Sequence, residues 1–230
     1  MNVLYVTDRS AVGDARFREI LRALSGAPAL TVELREKGSG STDRDAIAWA
    51  IEARESLGPA VPVLVNRRFD VALAAGAAGV HLPADGLPAA AVRAHTPRGF
   101  RVGVSTHSPE EAAAALDAGA DLVVIGPIFD TPSKRRYGAP LGAEALGRLP
   151  LCSAHRAEVY AIGGIDEAAL DQLEPYRDRI AGVAAIRLVQ EAADPRAVVE
   201  RLAARGRGAS GDVARGRGGP GRAATGASSR

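Results

Sequence analysis

The sequence predicts an α/β chain, a (β/α)8 TIM barrel with a disordered C-terminal tail. Three observations predict it. Apolar, β-branched runs alternate with Ala-rich helical stretches eight times before Arg205, the rhythm of βα units around a parallel sheet. Several runs, such as Leu122-Val123-Val124-Ile125, are unbroken in apolar residues, as strands covered on both faces must be. An open doubly wound sheet is the structural competitor. Against it, Thr7-Asp8-Arg9-Ser10 follows the first strand where a dinucleotide-binding sheet would carry G-x-G-x-x-G.

The strands are expected near Val3–Thr7, Leu30–Arg35, Val61–Asn66, Ala78–Leu82, Arg101–Ser105, Leu122–Gly126, Val159–Gly163 and Ile180–Ile186. Helices are expected near Ala15–Leu24, Arg44–Leu57, Phe69–Ala75, Pro88–Ala94, Pro109–Ala118, Ala143–Leu149, Glu167–Leu173 and Pro195–Ala204. Asp43 reads as the start of the second helix, Ser108 with Glu110 and Glu111 as the start of the fifth, and Asp166-Glu167 as the start of the seventh. Gly58, Gly76 and Gly119 mark helix ends. The stretches Ala75–Val80 and Ala118–Val123 each read helix end, Gly turn, next strand, a repeat that suits a barrel of similar units.

Two domains of behaviour are expected: a barrel over residues 1–205 and a Gly/Ala/Arg-rich tail over 206–230. The tail holds five arginines against Asp212, a net of +4, so residues 1–205 carry −2 of the chain's formal +2. With almost nothing to bury, the tail is expected to be disordered. It has no aromatic residue to stack on bases, so no specific nucleic-acid partner is expected. One cysteine, Cys152, excludes an internal disulfide and a Cys-rich metal site. The start of the chain lacks the pattern of a signal peptide, and no apolar run is long enough to span a bilayer. A cytoplasmic location is the expectation.

In a closed parallel barrel the strand C-termini share one mouth, where chemistry is done. Strand 2 brings Glu33, Arg35 and Lys37 there; strand 3 brings Asn66, Arg67 and Arg68; strand 4 brings His81, with Asp85 beyond it. Strand 5 ends in Ser105-Thr106-His107, strand 6 leads to Thr131, Ser133 and Lys134, strand 7 to Gly163-Gly164, and strand 8 to Ile186-Arg187. Cations, hydroxyls and an amide around one opening suit a phosphorylated substrate. Glycines after strand 7 and a helix start after strand 8 are a frequent phosphate site of this architecture. A solvated loop is the plainer reading of the charges, and a tight turn that of the glycines. His81 and His107 are the acid–base candidates, against structural roles for each. His95 and His155 read as surface residues. No His/Cys cluster for zinc is present; any metal would be Mg²⁺, held mainly by substrate phosphates.

These motifs resemble the thiamine phosphate synthase/TenI family. The match is carried in order by Val6-Thr7-Asp8, Leu34-Arg35-Glu36-Lys37, Asn66 with Asp70-Val71-Ala72-Leu73, and Gly79-Val80-His81-Leu82. It continues through Gly103–Ser108, Gly126-Pro127-Ile128-Phe129, Thr131–Lys134 and Ala161-Ile162-Gly163-Gly164-Ile165. The resemblance implies a (β/α)8 barrel, usually a transferase of thiamine biosynthesis that condenses hydroxymethylpyrimidine diphosphate with thiazole phosphate and releases pyrophosphate. It also implies residue roles. Arg35 and Lys37 would grip the diphosphate, with Glu33 where the family usually has Gln. Asn66 would meet the pyrimidine diphosphate, Ser105 the leaving group and Lys134 the pyrophosphate. Thr131 and Ser133 would face the thiazole, and Gly164 with the Ile186 and Arg187 amides its phosphate. The partners would be these small phosphorylated precursors, with no membrane, and a homodimer is the expected assembly.

Two departures stand out. The synthase pattern has Asn-Asp after strand 3, the Asp on Mg²⁺, where this chain has Asn66-Arg67; after strand 4 Asp85 falls one place early. Both lean toward the TenI branch, known for a thiazole tautomerase, yet Pro127 stands where that branch has its catalytic His. Two alternatives therefore stay beside the synthase: a TenI-type thiazole phosphate tautomerase, and a non-catalytic regulatory barrel that binds thiamine precursors.

Overall fold

A computed structural model describes residues 1–36, 42–131, 139–152 and 156–207. Eight strands close a barrel in sequence order: β1 Asn2–Val6, β2 Leu30–Leu34, β3 Val63–Asn66, β4 Gly79–Leu82, β5 Arg101–Thr106, β6 Leu122–Ile125, β7 Glu158–Ile162 and β8 Gly182–Ala185. Every pairing is parallel, and β8 closes on β1 with Val3 opposite Val183. All eight expected strands are present. The helices are α1 Arg9–Ala23, α2 Asp43–Leu57, α3 Phe69–Ala74, α4 Ala89–Arg93, α5 Pro109–Asp117, α6 Glu167–Leu173, α7 Arg187–Gln190 and α8 Pro195–Arg207.

Alternation sorts the strand residues into two cores. Val3, Tyr5, Val32, Leu34, Val63, Val65, Val80, Leu82 and Val102 pack outward under the helices. Leu4, Val6, Leu64, Leu122, Val124, Tyr160 and Ala184 fill the barrel axis. Because a strand's side chains point to opposite faces in turn, Glu33, Asn66, His81 and Ser105 belong with the second set. The N-terminal end of the barrel is plugged: Asn2 Nδ2 donates to Glu158 Oε1 at 2.9 Å, and Arg101 forms an ion pair with the same carboxylate. These polar contacts cover the axis at the strand N-termini.

Three local expectations are corrected. The cap of α2 is Thr42, not Asp43: Thr42 Oγ1 accepts from the Asp45 N–H, and the Asp45 carboxylate accepts from the Thr42 N–H, a reciprocal capping box. The segment after β6 forms a 3-10 helix over Ala143–Arg148 rather than an α-helix. The first helix starts six residues early and breaks at Gly13, whose φ of 77° is outside the helical region. Ser108 caps α5 and Asp166 caps α6 as expected, each accepting from the N–H three residues on. Burial raises the pKa of the Cys152 thiol, with Asp178 adding to it, which suits an unreactive thiol. No described helix is long and apolar enough to cross a membrane.

Candidate active site

Four adjacent strands build a polar line across the mouth. Asn66 Nδ2, at the end of β3, donates to Glu33 Oε1 on β2 at 2.8 Å. The other carboxylate oxygen, Oε2, faces His81 Nδ1 on β4 at 3.5 Å, and His81 Nε2 lies 2.8 Å from Ser105 Oγ on β5. Register makes this line. Asn66 sits opposite His81, and His81 opposite Gly103, two residues before Ser105. Gly103 leaves the room the imidazole occupies, since a Cβ there would lie 2.8 Å from His81 Nδ1. Glu33 and His81 are buried, whereas Asn66 and Ser105 are half-buried at the open end.

The rim is cationic. Arg35 is the residue after β2, and its N–H donates to Oγ1 of the buried Thr7 at 3.0 Å. Arg67 takes a left-handed backbone with φ 66°, its N–H donating to the His81 carbonyl at 2.7 Å. That conformation is costly for a residue with a side chain, and it carries the guanidinium past the strand end to Asp85, 3.5 Å away. Arg68 is engaged elsewhere, with Asp43 and Asp70 at 2.7 Å each.

His107 is exposed, and its Nδ1 lies 2.7 Å from the Gly126 carbonyl oxygen. A carbonyl only accepts, so Nδ1 holds a proton here, and Nε2 makes no hydrogen bond among the described residues. The chain after β6 leaves through a cis Gly126–Pro127 bond. It then lies along the end of β7, with Ile128 N–H on Ile162 O and Phe129 N–H on Gly163 O. Gly163 and Gly164 need their φ values of 100° and 66°. A Cβ on Gly164 would also meet Asp130 O at 2.6 Å. Thr131 is buried, and Ile186 is the residue before α7, which Arg187 opens. Lys37, Ser133, Lys134 and His155 lie outside the described residues; His95 is exposed, as expected.

Thr7 and Gln190 are supports that sequence reasoning missed. Gln190, at the end of α7, accepts from Tyr5 Oη at 3.0 Å and from Asp8 N–H at 2.9 Å, and donates back to Asp8 O at 3.0 Å. It ties the β8 end of the mouth to the β1 end. A glutamine in a short apolar turn gave no signal of this role.

A thiamine monophosphate synthase family model matches residues 3–189. The chain belongs to this family. Its members include a thiamine-phosphate synthase of Roseiflexus sp. (strain RS-1), 37% identical over 202 residues, covering 87% of this chain and 83% of the relative. Another, from Chlorobium limicola, is 37% identical over 181 residues and covers 79% and 83%. Among solved structures, the thiamine phosphate pyrophosphorylase from Pyrococcus furiosus superposes with a TM-score of 0.71 at 25% identity, over 88% of this chain and 94% of that one. The family match spans the barrel from β1 to α7, and so covers every strand end that lines the mouth.

Proposed function

We propose that the chain is a thiamine phosphate synthase, a transferase that joins hydroxymethylpyrimidine diphosphate to thiazole phosphate and releases pyrophosphate. The observation that carries this reading is the convergence of Asn66, Glu33, His81 and Ser105 from four strands onto one mouth rimmed by Arg35 and Arg67. Relatives named thiamine-phosphate synthase, each 37% identical and covering 79% or more of this chain, support it.

The reaction needs a departing pyrophosphate neutralised and a pyrimidine-stabilised cation kept from water until the thiazole nitrogen captures it. In this reading Arg35, Lys37 and Lys134 hold the diphosphate by charge-assisted hydrogen bonds, and Arg67 adds a guanidinium from the β3 side. Ser105 meets the leaving oxygens. Asn66, fixed by Glu33, meets the pyrimidine diphosphate. Thr131 and Ser133 face the thiazole, whose phosphate takes the amides of Gly164, Ile186 and Arg187, with Gly163 shaping that turn. His107 offers Nε2 at the rim.

Mg²⁺ is the metal this family reading brings with it. The described residues do not build a site for it. No group of three or more His, Cys, Asp or Glu side chains comes together among them. Asp85, the one candidate carboxylate, is 82% exposed and faces a guanidinium. The diphosphate oxygens would have to be the main ligands of such an ion.

The test is to incubate the protein with both precursors, with Mg²⁺ and with a chelator, and to follow thiamine phosphate and pyrophosphate. Product in at least one condition supports the synthase. No product in either rejects it. Conversion of the thiazole tautomer alone would establish the tautomerase instead. Binding of both precursors with neither conversion would establish the non-catalytic barrel.

A further inference from the structure

His81 stands between a carboxyl group and a hydroxyl. Its Nδ1 is buried with no hydrogen-bond partner among the described residues, and what it faces is Glu33 Oε2 at 3.5 Å. Its Nε2 is 2.8 Å from Ser105 Oγ. Glu33 is 3% exposed and pinned through Oε1 by Asn66. The groups around the ring are few. From β2 comes Glu33. From β3 come the neutral amide of Asn66, through Glu33, and the Arg67 N–H on the His81 carbonyl. From β5 come Gly103 and Ser105. The Arg67 guanidinium is directed at Asp85. Among the described residues, Glu33 is thus the charged partner of this imidazole.

A serine hydroxyl has one proton, and His81 Nε2 decides where it points. With the ring neutral and its proton on Nδ1 toward Glu33, Nε2 is bare and Ser105 donates to it. The serine oxygen then shows only lone pairs to the mouth, which disfavours an anion. With a second proton on the ring, Nε2–H donates to Oγ and Ser105 turns its own O–H outward. The Glu33 carboxylate supplies the counter-charge that a buried imidazolium requires.

We propose that Glu33, His81 and Ser105 form a one-proton switch: a phosphorylated anion arriving at Ser105 draws a proton onto His81, and Ser105 becomes a hydrogen-bond donor to that anion. The choice of pyrophosphate as the anion rests on the synthase reading. In that reaction the stored proton has a use. As the C–O bond to the diphosphate breaks, its electron pair stays on the departing oxygen. Ser105 passes its proton to that oxygen and takes one from Nε2. The ring returns to the neutral Nδ1–H form beside Glu33, so protons and charge balance with no other reactant.

The test is calorimetric titration of the full chain with inorganic pyrophosphate near about pH 7.5, in buffers of different ionisation enthalpy, which counts protons taken up. Wild type should take up about one proton more than Ser105→Ala and Glu33→Gln. The comparison cancels protons exchanged by pyrophosphate itself. Nitrogen-15 spectra of the histidines should show His81 gaining its second proton on pyrophosphate addition in wild type and not in either variant. Equal proton counts with an unchanged His81 spectrum overturn the switch, as does failure of wild type to bind pyrophosphate. Ser105→Ala keeps the test readable if the buried Glu33→Gln change unfolds the chain. The precursor assay separates the two readings. Thiamine phosphate made with no proton difference discards the switch alone. Proton uptake with no thiamine phosphate discards the synthase alone.

Discussion

Arg67 holds its guanidinium 3.5 Å from the carboxylate of Asp85, from a backbone position with φ 66°. The pair joins the loop after β3 to the loop after β4 at the rim of the mouth. Both side chains are more than half exposed, so the pair adds little stability, of the order of 0–1 kcal/mol. Its consequence is electrostatic. Asp85 competes with any anionic ligand for Arg67.

Asp85→Asn should therefore tighten pyrophosphate binding in chelator by a few-fold, and Arg67→Ala should weaken it by about tenfold, or about 1.4 kcal/mol. Calorimetric titration reads both. Weaker binding by Asp85→Asn would show instead that the carboxylate helps to hold the ligand.

Gly103→Ala tests the polar line directly. The added methyl would sit 2.8 Å from His81 Nδ1 and 3.1 Å from Leu122 Cδ2. The ring must shift, and the Ser105 contact with it. Stability should fall by about 1–3 kcal/mol in urea unfolding, and turnover should drop by at least about a hundredfold if His81 handles a proton. A variant with lower stability and undiminished turnover would assign His81 to packing.

Gln190→Ala removes the acceptor of the buried Tyr5 hydroxyl and the clamp on Asp8. Burial pushes the Tyr5 phenol far up in pKa, so it stays a donor in need of a partner. The cost should be about 1–3 kcal/mol in denaturant unfolding. Tyr5→Phe in the same background should recover part of it, because the stranded hydroxyl is then gone. No recovery would locate the loss in the Asp8 clamp.

Arg68 gives an acid-stability prediction. Its hydrogen bonds lower the pKa of Asp43 and of Asp70. A depressed folded-state value stabilises fully above the unfolded value, near about pH 4, and the contribution is lost as pH falls through the lower folded value. Arg68→Ala should lower the urea midpoint slightly at neutral pH, with the gap to wild type closing below about pH 4. A gap that widens in acid would contradict the assignment.

Gly164→Ala probes the turn after β7. Its φ of 66° and the 2.6 Å approach to Asp130 O leave no room for a side chain. The expected result is a raised KM for thiazole phosphate with a stability loss of about 1–3 kcal/mol. An unchanged KM would remove this turn from the thiazole site.

The sequence by itself determined the barrel, because its evidence is local and repeated. Each continuous apolar run and each Ala-rich stretch reports its own burial, and eight of each in alternation leave little choice of architecture. The same locality found Ser108 and Asp166 as caps. It chose Asp43 over Thr42 because both residues suit a cap, and only the backbone turn decides which one closes it. The family was also legible, since its motifs are linear features, and the strand ends named candidate residues for the mouth.

Only the tertiary structure decided which of those residues meet. The contact of Glu33 with His81 depends on the register of β2, β3 and β4 and on the missing side chain at Gly103. A one-residue slip would turn each of these side chains to the opposite face. Arg67 and Asp85 pair because the backbone at Arg67 is left-handed, a conformation that its residue type disfavours and so does not announce. Thr7 and Gln190 act through contacts 28 and 182 residues away, distances over which a sequence pattern carries no geometry.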